Sequence, residues 1–275
     1  MSRIRFEWEV EADLIDQPDG EDPQRKRNRH RALRRLLILC ALLIVACVLG
    51  GLALYLRIVQ AQNEIAQQLT DTIKVEVAAL RIGDRSAYLQ IQSGDASWQA
   101  AQTAQFERVQ TLKAANAIEL PGDILAMAIE GERARVLVRE DVYGLPYARL
   151  SFYRREGGLW RHTAPDFSFW GEQQQIESEY AIVTYRDADA DFASQLSAEL
   201  EEWLTAQCEV ADCADDAKLQ VAIAPEAEAA LAWQDAGARQ ALIRSPYLEI
   251  VRADTPFDSE LAAQLYELIE EHWGF

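Results

Sequence analysis

The chain has 275 residues, with 27 Lys and Arg against 45 Asp and Glu and a formal net charge of −18. Such an acidic chain lacks the basic surface that nucleic acid or an anionic lipid surface requires, which argues against both as ligands. Hydrophobic residues make up 49% of the chain, enough for packed cores, but they are concentrated unevenly.

Residues 1–35 read as a cytoplasmic tail, mostly disordered. Within it, Ile4, Phe6, Trp8 and Val10 alternate with Arg5, Glu7, Glu9 and Glu11. That is strand periodicity, and a lone strand needs a sheet edge from a partner protein. The bland reading is a chance alternation in a polar tail. Arg25, Lys26, Arg27, Arg29, Arg31, Arg34 and Arg35 follow as a basic block.

Leu36 to Leu56 contains no charged residue. About 20 apolar residues at 1.5 Å rise span a hydrocarbon core of about 30 Å. A soluble core helix of this length would show a polar stripe, and this run has none. It is expected to be a single-pass transmembrane helix in contact with membrane lipid. The basic flank marks its N-terminal side as cytoplasmic, which places the C-terminal part outside, in a bacterial envelope. The charged stretch before the run is too long for an ordinary cleaved signal. Ile44-Val45-Ala46-Cys47 fits a lipidation pattern, but the chain stays apolar from Val48 to Leu56, which a mature lipoprotein start does not need. Ala46/Gly50 and Cys47/Gly51 are small-residue pairs that would suit a homodimer of helices. Residues 1–56 hold 9 basic and 8 acidic side chains, so the external part holds 18 and 37 and has a net charge of −19.

Beyond the span, Ile58, Ile65, Leu69, Ile73, Val77 and Leu80 recur at helical spacing until Gly83-Asp84 interrupts them. A second helix is expected from Ala100 to Ala115. Residues 118–164 then change period. ILAMAIE, ARVLVRE, ARLSFYRR and LWRH are short alternating runs punctuated by glycine turns, the pattern of an antiparallel meander. From about residue 178, strand and helix alternate: EYAIVTY as strand, Ala190 to Ala206 as an amphipathic helix, KLQVAIA as strand, Pro225 to Ala241 as helix, further strand, and a last helix opened by Thr255-Pro256. The whole is expected to be α+β: a transmembrane helix, then helices packed on a curved antiparallel sheet over 57–172, then a small β/α domain over 176–275.

Cys208 and Cys213, with four residues between them in CEVADC, suit a local disulfide in an oxidising compartment or two free thiols. Zinc would need two further ligands, and none stands nearby, so no metal or other cofactor is expected. His162 and Asp166, in RHTAPD, are the best acid–base pair in the chain, although a lone histidine more often packs than reacts. Phe152, Trp160 and Trp170 belong to a dense aromatic set that could line a ligand pocket or fill the core.

ALRIGDRSAYLQIQS (79–93), SWQAAQTAQFERVQ (97–110) and SFYRREGGLWRHTAPDFSFWGE (151–172) resemble the nuclear-transport-factor-2-like fold, as found in external regions of uncharacterised bacterial membrane-anchored proteins. The resemblance implies an α+β cone with a pocket, and no particular activity. Residues 176–275 resemble the front part of a gluzincin-type zinc-peptidase domain. Its metal helix would carry H-E-x-x-H, and the last helix here reads Tyr266-Glu267-Leu268-Ile269-Glu270, with a glutamate at one position and both histidines missing. The resemblance therefore implies a degenerate, non-catalytic domain. The function expected from these features is ligand or protein binding at the cell envelope. The alternative is an extracytoplasmic hydrolase or isomerase using His162 and Asp166.

Overall fold

The computed structural model describes residues 23–210, 218–235, 237 and 239–273. The chain divides into two compact units, Met1–Glu64 and Ile65–Phe275. The first helix, α1 (Pro23–Ile82), contributes to both. It begins earlier than the apolar run, so the basic block, expected to lie in a mostly disordered tail, is helical. Arg, Lys, Ala and Leu are all strong helix formers, and Pro23 suits the first helical position. The alternating stretch at residues 4–10 lies outside the described residues. Over residues 36–56 the large apolar side chains are exposed all round the helix, from Leu52 at 52% to Leu43 at 67%. Among the described residues, α1 is the helix long and apolar enough to cross a membrane.

In the second unit α1 presents a buried stripe. Leu69, Ile73 and Ala79 are at most 2% exposed. Two helices follow, each capped by an aspartate. Asp84 accepts from the Ala87 amide at 2.9 Å and starts α2 (Arg85–Ile91). Asp95 accepts from the Trp98 amide at 2.8 Å and starts α3 (Ala96–Ala114). Each cap satisfies an amide that the first helical turn leaves without a partner.

The meander is as the alternation predicts. The strands are β1 (Ile118–Glu119), β2 (Ile124–Glu130), β3 (Arg133–Val142), β4 (Leu145–Glu156) and β5 (Leu159–Thr163), and every pairing among them is antiparallel. Gly157 and Gly158 both have positive φ, 58° and 85°. That is the twist a two-residue hairpin turn needs, and it fixes the β4–β5 register so that Tyr153 lies opposite His162.

The C-terminal part builds a second, mixed sheet. Its strands are β6 (Gln173–Glu177), β7 (Ala181–Arg186), β8 (Leu219–Ala224), β9 (Leu231–Asp235) and β10 (Gln240–Arg244), in the order β6-β7-β8-β10-β9. β7, β8 and β10 are parallel to one another, and β6 and β9 run antiparallel at the edges. The crossover from β7 to β8 is α4 (Ala190–Val210), whose Phe192, Ala193, Leu196, Leu200 and Leu204 are fully buried. The expected helix over 225–241 is replaced by the β9–β10 hairpin. Its alanines and glutamates have helix propensity, but Ala241 and Ile243 alternate with half-buried neighbours, and pairing with β8 decides the outcome. β11 (Ile250–Arg252) then leaves this sheet and pairs with β4 at Tyr147 to Arg149. The last helix is α5 (Ser259–Trp273). A single hydrophobic cluster joins Phe152, Phe169 and Trp170 to Val183, Phe192, Leu196 and Leu265.

One backbone position here tolerates nothing but glycine. Gly171 has φ of 116°, and a Cβ there would lie 2.6 Å from both Arg135 Nη1 and Asp187 Cβ. Gly171→Ala is expected to destabilise the fold by roughly 2–4 kcal/mol through strain and overpacking together, read as a lowered urea midpoint. A change below about 0.5 kcal/mol would show that this corner shifts freely.

Candidate functional site

The site grows from one irregularity in α1. Leu69, Ile73 and Leu80 mark its inward stripe, and position 76, which shares that stripe, is glutamate, 6% exposed. A carboxylate taken out of water needs donors. Glu76 has three. His162 Nδ1 lies 2.7 Å from Oε1, Tyr153 Oη donates to Oε2 at 2.8 Å, and Gln92 Nε2 donates to Oε1 at 3.2 Å. Burial by itself would push the Glu76 carboxyl up. The adjacent His162 and the bonds from His162, Tyr153 and Gln92 outweigh it and hold the carboxyl below its ordinary range.

Different elements supply these partners. The hairpin register sets Tyr153 beside His162, and their rings stack at 4.9 Å. The end of α2 closes on β5: Ser93 N donates to His162 O at 2.8 Å. From α3, Trp98 Nε1 donates to the same carbonyl at 3.0 Å, and its ring meets the imidazole edge-on at 5.2 Å. His162 is thus held between two aromatic rings with its backbone fixed. It is 7% exposed, and among the described residues its Nε2 has no hydrogen-bond partner. Burial, and next the charge of Glu76, push both Tyr88 and Tyr153 well above the ordinary phenol range, so both remain protonated donors.

These groups border a cavity of about 200 Å³ between α1, α2, α3 and the first sheet. Ile73, Val77, Leu80, Val138, Leu150 and Leu248 supply apolar wall. The polar wall includes Glu76, Tyr88, Gln102, Tyr153 and His162, with Tyr88 donating its hydroxyl to Gln102. Glu140 and Arg149 also line it, paired through two bonds of 2.7 and 3.1 Å.

Of the residues singled out in the sequence, His162 lies on the cavity and Asp166 is engaged elsewhere. Asp166 caps a short turn, accepting from Ser168 N at 3.0 Å and facing Arg133 at 3.4 Å. The carboxylate bonded to His162 is Glu76. Phe152, Trp160 and Trp170 are at most 3% exposed and do not line this cavity. Phe152 and Trp170 stack at 5.4 Å within the core that joins the two sheets. Trp160 packs with Leu69, Ile73 and Tyr153, and its indole N–H is buried without a partner. Cys208 is disulfide-bonded, and Cys213 lies outside the described residues. Among the described residues, no group of three or more His, Cys, Asp or Glu is placed to hold a metal ion.

What these observations define is an α+β protein with a small, partly open, partly polar cavity beneath a helical layer. No family profile matches the chain. No curated protein matches it significantly either. Among solved structures, the chain is similar to an NTF-2-like protein of unknown function from Shewanella oneidensis MR-1. The two share 14% identity over 35% of this chain and 93% of the other, with a TM-score of 0.29, a value too low to carry an argument about fold.

Proposed function

We propose that the chain is a single-pass membrane protein whose acidic C-terminal part, outside the cell membrane, binds a small ligand in the cavity bordered by His162 and Glu76. The observation that carries this reading is the cavity itself. A buried histidine, oriented by a buried carboxylate and clamped between Trp98 and Tyr153, leaves one ring nitrogen open. Purely structural networks tend to satisfy every member. We place the helical layer and the antiparallel meander in the nuclear-transport-factor-2-like class, on the sequence resemblance over 79–172. The apolar, all-round exposed stretch of α1 supports membrane anchoring, and the basic residues on its N-terminal side support a cytoplasmic N-terminus. The β/α part is read as non-catalytic. Glu267, at the glutamate position of the peptidase-like helix, is exposed on α5.

A second reading has one specific observation in its favour. The 2.7 Å His162–Glu76 contact is the geometry of an oriented general base, and an extracytoplasmic hydrolase or isomerase would use His162 with Glu76, in place of Asp166, as its carboxylate partner.

Native mass spectrometry of the full chain, extracted from membranes in detergent, tests the first reading. The expected result is a membrane-fraction protein carrying a bound small molecule. Recovery in the soluble fraction overturns the anchor, and a bare mass overturns the ligand. A ligand retained by wild type and lost by His162→Ala supports binding at this cavity. Turnover of that ligand by wild type, absent in the variant, moves the assignment to the enzyme.

A further inference from the structure

The outermost strand of a sheet leaves a row of unpaired N–H and C=O groups, and natural folds blunt such edges. Among the described residues, most edges of the two sheets are blunted. β1 and β11 are two and three residues long. β2 and β9 break register, with Leu125 and Gln234 left out of the pairing. β5 is tied to the end of α2, where Ser93 N donates to His162 O. β6 is different. It stands at the end of its sheet, pairs with β7 in unbroken register, and carries no Pro, Lys or Arg.

The outward groups of β6 follow from the alternation of an antiparallel pair. Asp187 N donates to Glu172 O at 3.1 Å, and Ser178 N donates to Ala181 O at 2.9 Å. Residues 172 and 178 therefore bond β7, and so do 174 and 176 between them. The N–H and C=O groups of Gln173, Gln175 and Glu177 point the other way, to the free edge. The side chains of these three residues are exposed.

We infer that β6 pairs antiparallel with β6 of a second copy of this chain, about a two-fold axis at Gln175, which joins the two mixed sheets into one. In that register the outward groups meet. Gln175 faces Gln175 of the second copy, Gln173 faces its Glu177, and each pair exchanges both backbone bonds. Charge selects this partner and this direction. With a net charge of −18, two copies repel over most of their surface. Across β6, Glu177 meets a glutamine amide and Glu172 meets Ser178, so no carboxylate lies opposite another. Glu177 is also paired with Lys218 at 2.7 Å. An in-register parallel pairing sets Glu172 and Glu177 against their own copies. Glutamine both donates and accepts, so Gln175 complements itself. A strand whose outward groups and charges match their own reverse is what a two-fold interface requires. β6 contributes no residue to the cavity of Glu76 and His162, so the pairing holds whatever that cavity binds.

The test cross-links the full chain in whole cells, with Cys40→Ala and Cys47→Ala removing the free thiols. Gln173→Cys, Gln175→Cys and Glu177→Cys are made singly and treated with a short bis-maleimide. Cα atoms of a hydrogen-bonded pair lie about 5.5 Å apart, so Gln175→Cys is expected to give a covalent homodimer. Gln173→Cys and Glu177→Cys each lie about 14 Å along the strand from their own copy. Each alone is expected to give at least fivefold less, and the two expressed together should link to each other. Gln175→Pro adds a second readout. It removes only an outward N–H, which an edge strand tolerates. Thermal unfolding should be unchanged, while linking between Gln173→Cys and Glu177→Cys falls at least tenfold. No homodimer from Gln175→Cys, equal yields from all three positions, or a product with a different protein overturns the pairing. Linking that persists in folded Gln175→Pro overturns it too. If that variant fails to fold, the cysteine series still decides.

Discussion

Glu76→Ala is expected to destabilise the Ile65–Phe275 unit by roughly 3–5 kcal/mol, from three buried donors left without their acceptor at about 1–3 kcal/mol each. The side chains of Glu76 and His162 are 8% and 9% exposed, so solvent cannot take over the lost bonds cheaply. Three donors lose their acceptor at once: the imidazole, the Tyr153 hydroxyl and the Gln92 amide. Tyr153→Phe removes one of these bonds and keeps the ring, so about 1 kcal/mol is expected there. Urea unfolding followed by tryptophan fluorescence measures both. The pH dependence has a definite sign. The folded-state carboxyl of Glu76 is held below the ordinary value of 4.5, so its contribution is present above that value and is lost as the pH falls through the folded value. The gap between wild type and Glu76→Ala should therefore narrow in acid. A loss below about 1 kcal/mol at neutral pH, or a gap independent of pH, would mean that Glu76 is in effect solvated by the cavity.

Why Glu76 was not visible beforehand is a matter of distance along the chain. The apolar stripe Leu69, Ile73 and Leu80 is plain at helical spacing, and a carboxylate on that same face was the available signal. Its meaning depended on a partner 86 residues away on β5, and no local pattern reports that pairing. His162 could be singled out because histidines are few. Asp166 could not be separated from Glu76 as its partner, because proximity in sequence stood in for proximity in space. The meander was legible because its strands alternate and its turns are glycines, both short-range properties. The β9–β10 hairpin was not, since its alanine-rich sequence is locally helical and only pairing with β8 overrides it. The pairing of β11 with β4 was equally hidden. Alternation tells which face of a strand is buried and says nothing about which strand lies beside it.

Asp189→Asn is expected to stabilise the same unit at neutral pH, by up to roughly 3 kcal/mol, a shift of about two pH units converted at 1.36 kcal/mol each. Asp189 is fully buried at the start of α4, accepting from Trp170 Nε1 at 2.8 Å and from the Ser245 hydroxyl. Burial raises its carboxyl from 3.8 to about 6, against the opposing pull of the Ser245 and Trp170 bonds and of Arg135 and Arg186. A carboxyl raised on folding holds its proton more tightly in the native state. Stability is then greatest below the unfolded value of 3.8 and declines as the pH rises to the folded value of about 6, beyond which the cost is constant. Asparagine keeps the shape without the charge. Its oxygen can accept from the indole N–H and its amide can donate to the Ser245 oxygen, so both contacts survive. Urea midpoints at several pH values between 4 and 7.5 should fall for wild type relative to Asp189→Asn as the pH rises, opposite in sign to the Glu76 effect. If Asp189→Asn is instead the less stable protein at pH 7, then Arg135, Arg186 and the amides at the start of α4 stabilise the charged form more than burial opposes it. Trp170 and Ser245 would in that case anchor a working carboxylate between the two sheets.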